Sequence, residues 1–175
     1  MLQTTIDYLG RLYERMPIFL YVSLILFFFI SCCIITLKKG VIEGLRISSI
    51  VLLIEYVILI FCSTVIFRST NSEAMFDMTP FRTYDDYQRS GDFYLSEVLM
   101  NIAVFTPVGF LAYWGCRYIQ WWRVLTIGLT LSVSIELLQF FFKRGFCELD
   151  DILANALGCM VGFGLALIVS KINKG

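Results

Sequence analysis

PIFLYVSLILFFFISCCIITL, running from Pro17 to Leu37, contains no charged residue. The hydrocarbon layer of a bilayer takes about 20 consecutive apolar residues in helical form, and this stretch meets that length. Inside lipid every backbone N–H and C=O needs an internal partner, so such a run folds as a helix. Four further stretches have the same character: Ile47–Phe67, Ser96–Cys116, Val124–Phe142 and Ile152–Ser170. The sequence therefore predicts an all-α, polytopic integral membrane helix bundle with about five transmembrane helices. The first span is too long and too late for a cleaved signal peptide, and no small-residue cleavage site follows it.

Ahead of that span, Ile6, Leu9, Leu12, Tyr13 and Met16 recur at helical spacing, with Asp7, Arg11, Glu14 and Arg15 between them. This pattern predicts a short amphipathic interfacial helix over residues 1–16, with residues 17–175 forming a single transmembrane domain.

Composition agrees. Hydrophobic residues make up 58% of the chain and mean hydropathy is +0.78, above the roughly 45–50% apolar usage of soluble domains. A formal charge of zero gives no argument for nucleic acid as a partner. The chain has no histidine, which removes histidine general-base catalysis and the commonest zinc and haem ligand. Of six cysteines, Cys32, Cys33, Cys62 and Cys159 lie inside apolar runs, Cys116 ends one, and Cys147 is in a loop. They read as small buried hydrophobes rather than a disulfide framework.

Polar residues interrupt the last three spans. The third holds Glu97, Asn101 and Pro107, the fourth Glu136 and Gln139, and the fifth begins with Asp150, Asp151 and Asn155, with Glu148 one turn before it. Acids in hydrocarbon cost roughly 2.5–3.5 kcal/mol each, so intramembrane carboxyls are functional candidates. Glu97 and Asn101 are four apart on one helix face, as are Asp151 and Asn155, while Glu136 and Gln139 are three apart. Some have structural explanations: Asp150, Asp151 and Glu97 complement helix dipoles, and Gln139 can bridge helices. Glu136 has no dipole reason at a helix C-terminal end. Glu55, mid-span, either pairs with another helix or stays protonated.

Orientation follows from basic residues. One set of span ends carries Lys38, Lys39, Arg46, Arg117, Arg123, Lys171 and Lys174 with Glu43 as its acid; the other carries Arg11, Arg15, Arg68, Arg82, Arg89, Lys143 and Arg144. The count ties, but the first set is concentrated in very short loops, whereas three of the second are spread over a loop of about 28 residues. The acids Glu73, Asp77, Asp85, Asp86, Asp92 and Glu148 gather on the second side. This places the N-terminus outside and the C-terminus in the cytoplasm, and puts the polar residues together in the outer leaflet half, around a shared polar cavity.

The fifth span also carries Ala154, Gly158, Gly162 and Ala166 at spacing four, which lets another helix approach closely. Pro107 frees a carbonyl and kinks the third span.

Asn101-Ile-Ala-Val-Phe105-Thr-Pro107-Val-Gly109 resembles the N-x-x-x-F-x-P-x-G signature of the VanZ-like family. So do Ser132-Val-Ser-Ile-Glu136-Leu-Leu-Gln139 and Asp151-Ile-Leu-Ala-Asn155-Ala-Leu-Gly158, and Thr79-Pro80-Phe81 is similar to its T-P-F motif. The resemblance covers about residues 78–164. It departs where the family usually has Asp in place of Glu148, and often a basic residue at Gly145, for which Arg144 is the nearest substitute. The resemblance implies a multi-pass protein of the bacterial plasma membrane that confers low-level resistance to teicoplanin and related lipid-tailed glycopeptides.

Two function classes follow. One is a binding or shielding module whose outer-leaflet pocket holds a membrane lipid headgroup, a lipid-linked cell-wall precursor or the lipoglycopeptide antibiotic, with Arg82 and Arg144 pairing phosphate or carboxylate at its mouth. The other is a metal-dependent membrane enzyme acting on a lipid-linked substrate. Glu97, Glu136, Glu148 and Asp151 are hard oxygen ligands suited to Mg²⁺, Mn²⁺ or Ca²⁺, with Glu97, Glu136 and Asp151 the leading candidates. No nucleophile elbow or phosphate loop accompanies them, which favours the first class. Five spans without internal repeats do not suggest alternating-access transport.

The orientation is checked with single cysteines at Ser90 and Lys174 in a cysteine-free background. An impermeant thiol reagent should label the first in intact cells and the second only after lysis; the reverse pattern inverts the topology.

Overall fold

A computed structural model describes residues 17–70, 76–79, 92–117, 119–145 and 147–172. The interfacial segment expected over residues 1–16, Pro80 and Phe81 of the loop motif, Arg82, Ser90 and Lys174 lie outside the described residues. Five helices carry the chain back and forth: α1 Ile18–Lys39, α2 Val41–Phe61, α3 Asp92–Gly115, α4 Trp121–Phe141 and α5 Leu149–Ile172. All five are long and apolar enough to cross a membrane, so the all-α membrane bundle is the fold. Their apolar side chains face outward, as lipid requires: Phe27, Phe29, Leu45, Ile54, Phe141, Leu157 and Ile168 are all exposed.

Four helices begin earlier than the apolar runs suggest. α2 starts at Val41, α3 at Asp92, α4 at Trp121 and α5 at Leu149, because helical hydrogen bonding continues through the interfacial turns where hydropathy stops at the first charge. Gly40 alone separates α1 from α2. Its φ of +81° suits glycine, and its N–H caps α1 on the Thr36 carbonyl at 3.0 Å. α1 then packs down α2, with the Gly44 backbone against Thr36.

α2 does not end as an α-helix. Cys62–Ile66 widen into a π turn, closed by Phe67 N–H on the Cys62 carbonyl at 2.8 Å. Beyond it, β1 (Phe76–Asp77) pairs in parallel with β2 (Cys147–Glu148), Phe76 opposite Cys147. This short pairing, which no periodicity of two residues could announce, ties the connection after α2 to the segment that starts α5.

The most extensive contact in the bundle joins α3 and α5. A side chain at Gly158 would collide with the Ile102 carbonyl oxygen, one at Gly162 with that of Thr106, and one at Gly109 with that of Cys159. The two backbones therefore touch. Association inside lipid lacks a hydrophobic driving force between helices and relies on such close packing. The stripe expected in the fifth span is the one used: Ala154, Gly158, Gly162 and Ala166 are all buried. Pro107 lies between Thr106 and Gly109 in this contact.

At the end of the bundle where α2 begins and α3 finishes, Arg46 donates to Glu43 at 2.8 Å and to the Gly115 carbonyl at 3.2 Å, and Arg117 approaches Glu43 at 3.5 Å. Such half-exposed pairs contribute about 0–1 kcal/mol each; here they join α2 to α3.

Gly162→Ala should lower the thermal unfolding midpoint of the purified protein by several degrees or prevent its recovery from membranes, because the new methyl meets fixed backbone. Gly164→Ala, which has open space around it, should unfold at or above the native temperature. Equal behaviour of the two variants would contradict this packing.

Candidate functional site

Three helices and the end of a fourth converge at the opposite end of the bundle. α3 contributes Glu97 and Asn101, α4 contributes Glu136 and Gln139, α5 contributes Asp151 and Asn155, and the widened end of α2 contributes Thr64 and Arg68. With Met100, Val104, Phe105 and Ile135 they line one small cavity of about 50 Å³. At about 10–15 Å³ for each water-sized group, it has room for a few waters or one small polar group.

Its walls are cross-linked by side chains. Asn101 donates to Asp151 Oδ1 at 2.6 Å, joining α3 to α5. Asn155 donates to the Ser132 hydroxyl at 2.8 Å, joining α5 to α4. Gln139 donates to the Thr64 carbonyl at 3.2 Å, joining α4 to the π turn. The Glu148 backbone N–H donates to Glu136 Oε2 at 3.2 Å, fixing the entry to α5 over the end of α4. Glu136 is 2% exposed and Asn155 5%. The Oδ1 of Asn155 has no hydrogen-bond partner, and unpaired buried acceptors are uncommon.

Arg68 is the cation among the described residues that line the cavity. It interacts electrostatically with Glu97, Glu136 and Asp151. Its guanidinium packs on Gly145, where any Cβ would lie 3.1 Å from it, so the positive charge beside Gly145 comes from the segment just after the π turn. Arg144, expected at the pocket mouth, turns elsewhere. It donates to the carbonyls of Val65, Ile66 and Arg68. Those groups end a helix and lack intrahelical partners, so Arg144 caps the π turn.

The other candidates lie around the cavity rather than in its wall. Asp150 is a first-turn acid of α5, Glu148 approaches through its backbone, and Pro107 sits deeper in the α3–α5 contact. Glu55 is buried in α2, away from this end, and its Oε1 has no hydrogen-bond partner. Two polar residues of the cavity wall, Thr64 and Arg68, were not singled out from sequence as site residues, nor was the fully buried Ser132 that holds Asn155 from behind the wall. Arg68 follows the second span directly, and that position was the one signal available for it.

Cys147, in β2, is 1% exposed. Burial, and then the neighbouring Glu136 and Glu148 carboxyls, push its thiol above the usual range. Among the described residues no three acidic or sulfur side chains are grouped to hold a metal ion. A much larger recess, about 480 Å³, lies between α2 and α4 and is lined by Leu53, Ile54, Val57, Ile58, Thr126, Ile127, Thr130 and Leu131. It is apolar, faces the bilayer and carries no chemistry, so the small polar cavity is the candidate site despite its size.

Five spanning helices closed at one end over a buried, acid-rich cavity define a multi-pass helical membrane protein with a polar site at one face. The chain belongs to the VanZ/LLP1 family, which matches residues 49–170, more than half of its length. It is similar to Protein VanZ of Enterococcus faecium, with 25% identity over 95 residues, 54% of this chain and 54% of that protein. The chain thus spans about half the length of the curated relative it matches. No solved structure matches it.

The thiolate is the reacting form of cysteine, so a raised thiol pKa leaves Cys147 with little of it near neutral pH. In detergent at pH 7.5, maleimide should modify the exposed Cys116 readily and Cys147 only after unfolding, by mass spectrometry of the peptides. Equal rates would contradict the burial of Cys147.

Proposed function

We propose that the protein is a plasma-membrane module that lowers the access of teicoplanin-type lipoglycopeptides to their target, through a polar cavity in the outer leaflet. The observation that carries the reading is the convergence of Glu97, Glu136, Asp151 and Asn155 around Arg68 in a chain of the VanZ/LLP1 family. Ligand pockets for drug-sized molecules run to about 300–1,000 Å³. A cavity of about 50 Å³ instead suits the terminal polar group of a lipid headgroup or lipid-linked precursor. Protection is then exerted on the membrane surface where the lipid tail of the drug inserts. In this reading the site faces outward, with the N-terminus outside and the C-terminus in the cytoplasm.

The alternative is a metal-dependent membrane enzyme, with Glu97, Glu136 and Asp151 holding Mg²⁺ or Ca²⁺. Shielding is preferred because the polar residues come without a nucleophile motif beside them.

The two readings separate in cells. Expression should reduce surface binding of a fluorescent lipid-tailed glycopeptide severalfold while sparing vancomycin, which lacks the tail, with extracted cell-wall precursors unchanged by mass spectrometry. Glu136→Gln or Asn155→Ala should abolish the protection in protein that is still expressed and inserted, whereas Cys32→Ala should be nearly silent. A modified precursor that appears only with the intact carboxyl set would replace shielding with catalysis.

A further inference from the structure

The hydrogen-bonding groups that line the cavity are unequally engaged. Each of its amides already spends one N–H on a partner: Asn101 on Asp151, Gln139 on the Thr64 carbonyl, and Asn155 on Ser132. The Thr64 hydroxyl donates to the Ile60 carbonyl at 2.7 Å. Acceptors remain. Asn155 Oδ1 is buried, lines the cavity and has no partner, and among the described lining residues three carboxyl groups face the single guanidinium of Arg68. A buried acceptor left unpaired is costly, and buried acids require a compensating cation or proton. A cationic hydrogen-bond donor would answer both needs at once.

Size and geometry narrow its class. A divalent cation takes six or more close oxygen ligands, and no three acidic or sulfur side chains are grouped for a metal among the described residues. A second guanidinium is planar and wide. A primary ammonium is compact, with three donors that diverge from one nitrogen. It matches a cavity of about 50 Å³ whose acceptors come from three separate helices, Glu136 on α4, Asp151 and Asn155 on α5, and Glu97 on α3.

We infer that the cavity binds a primary ammonium group presented at the membrane face, a chemistry shared by the ethanolamine headgroup of a phospholipid and by a free primary amine. The inference rests on the reading of the cavity as a ligand site and specifies what enters it. Arg68 has a positioning role here. It balances part of the acid cluster and leaves the remainder for the ligand.

The test uses the full chain in detergent, with lipids that differ in headgroup alone. Native mass spectrometry should show phosphatidylethanolamine retained about tenfold or more over phosphatidylcholine and phosphatidylglycerol, the difference expected for charge-assisted hydrogen bonds to a buried group. Phosphatidylcholine keeps the positive charge but has no N–H donor, so it separates donation from charge. Asn155→Asp should strengthen retention, since it adds negative charge while the Ser132 hydroxyl can donate in place of accepting; a merely structural role for Asn155 predicts the opposite. Ethanolamine at millimolar concentration distinguishes the sources. If it displaces the lipid, the bare amine is the recognised unit; if it does not, the phospholipid is, and both support the inference. Equal retention of the three lipids overturns it, as does preference for phosphatidylglycerol lost in Arg68→Gln, which marks an anion site. Stabilisation by Mg²⁺ or Ca²⁺ with no lipid preference also overturns it. Selective retention without any effect on glycopeptide binding to cells would remove the proposed function and leave this ligand class standing.

Discussion

The contact between the backbones of α3 and α5 is the constraint on which the rest of the structure depends. Gly109, Gly158 and Gly162 each approach a facing carbonyl more closely than any side chain allows. Between helices that gain nothing from burying apolar surface, such contact supplies dispersion and fixes rotation as well as distance. Rotation matters most for the site. With Gly158 seated against Ile102, Asn101 beside that isoleucine and Asp151, two turns before Gly158, meet at hydrogen-bonding distance. Thus the small residues of α5 set the geometry of the acidic ones.

The cavity also requires that helix ends be satisfied without water from deep lipid. α2 reaches this end as a π turn, a wide turn that recurs at functional sites. Its free carbonyls are taken by two side chains from the end of α4: Gln139 on Thr64, and Arg144 on Val65, Ile66 and Arg68. Arg144 thereby holds Arg68 by its backbone, and Arg68 faces the carboxyls of three helices. One arginine shapes the chain, and the other supplies charge to the cavity.

The five spans were legible because an uncharged apolar run of sufficient length has few other outcomes in a polytopic chain. The small-residue stripe from Ala154 to Ala166 was legible for the same local reason, since its spacing defines a face within one helix. Arg68, Thr64 and Ser132 were not. A basic residue just beyond a span reads as an orientation signal, and Arg68 differs from Lys143 or Arg144 only through what it meets in three dimensions. Arg144 shows the converse: a guanidinium near an acid cluster suggests an anion partner, but its closest unsatisfied groups were carbonyls 76 to 79 residues away in sequence. The pairing of Phe76 with Cys147 has no sequence pattern at all, because two residues cannot display a period.

The contrast between the two recesses bears on how such a protein acts. The apolar recess between α2 and α4 is large enough for hydrocarbon and offers nothing to distinguish one chain from another, so the bilayer itself can fill it without specificity. The polar cavity is small, but its partners are fixed by hydrogen bonds across four segments, and the buried Oδ1 of Asn155 that lines it has no partner. Specificity depends on groups that are costly to leave unpaired rather than on volume. In the proposed reading, such a site discriminates the terminal group of a membrane-surface molecule, whatever the size of the molecule behind it. The proposed effect on a bulky lipid-tailed drug would then be exerted through the lipid surface the drug must enter, because a cavity of about 50 Å³ is too small to enclose the drug.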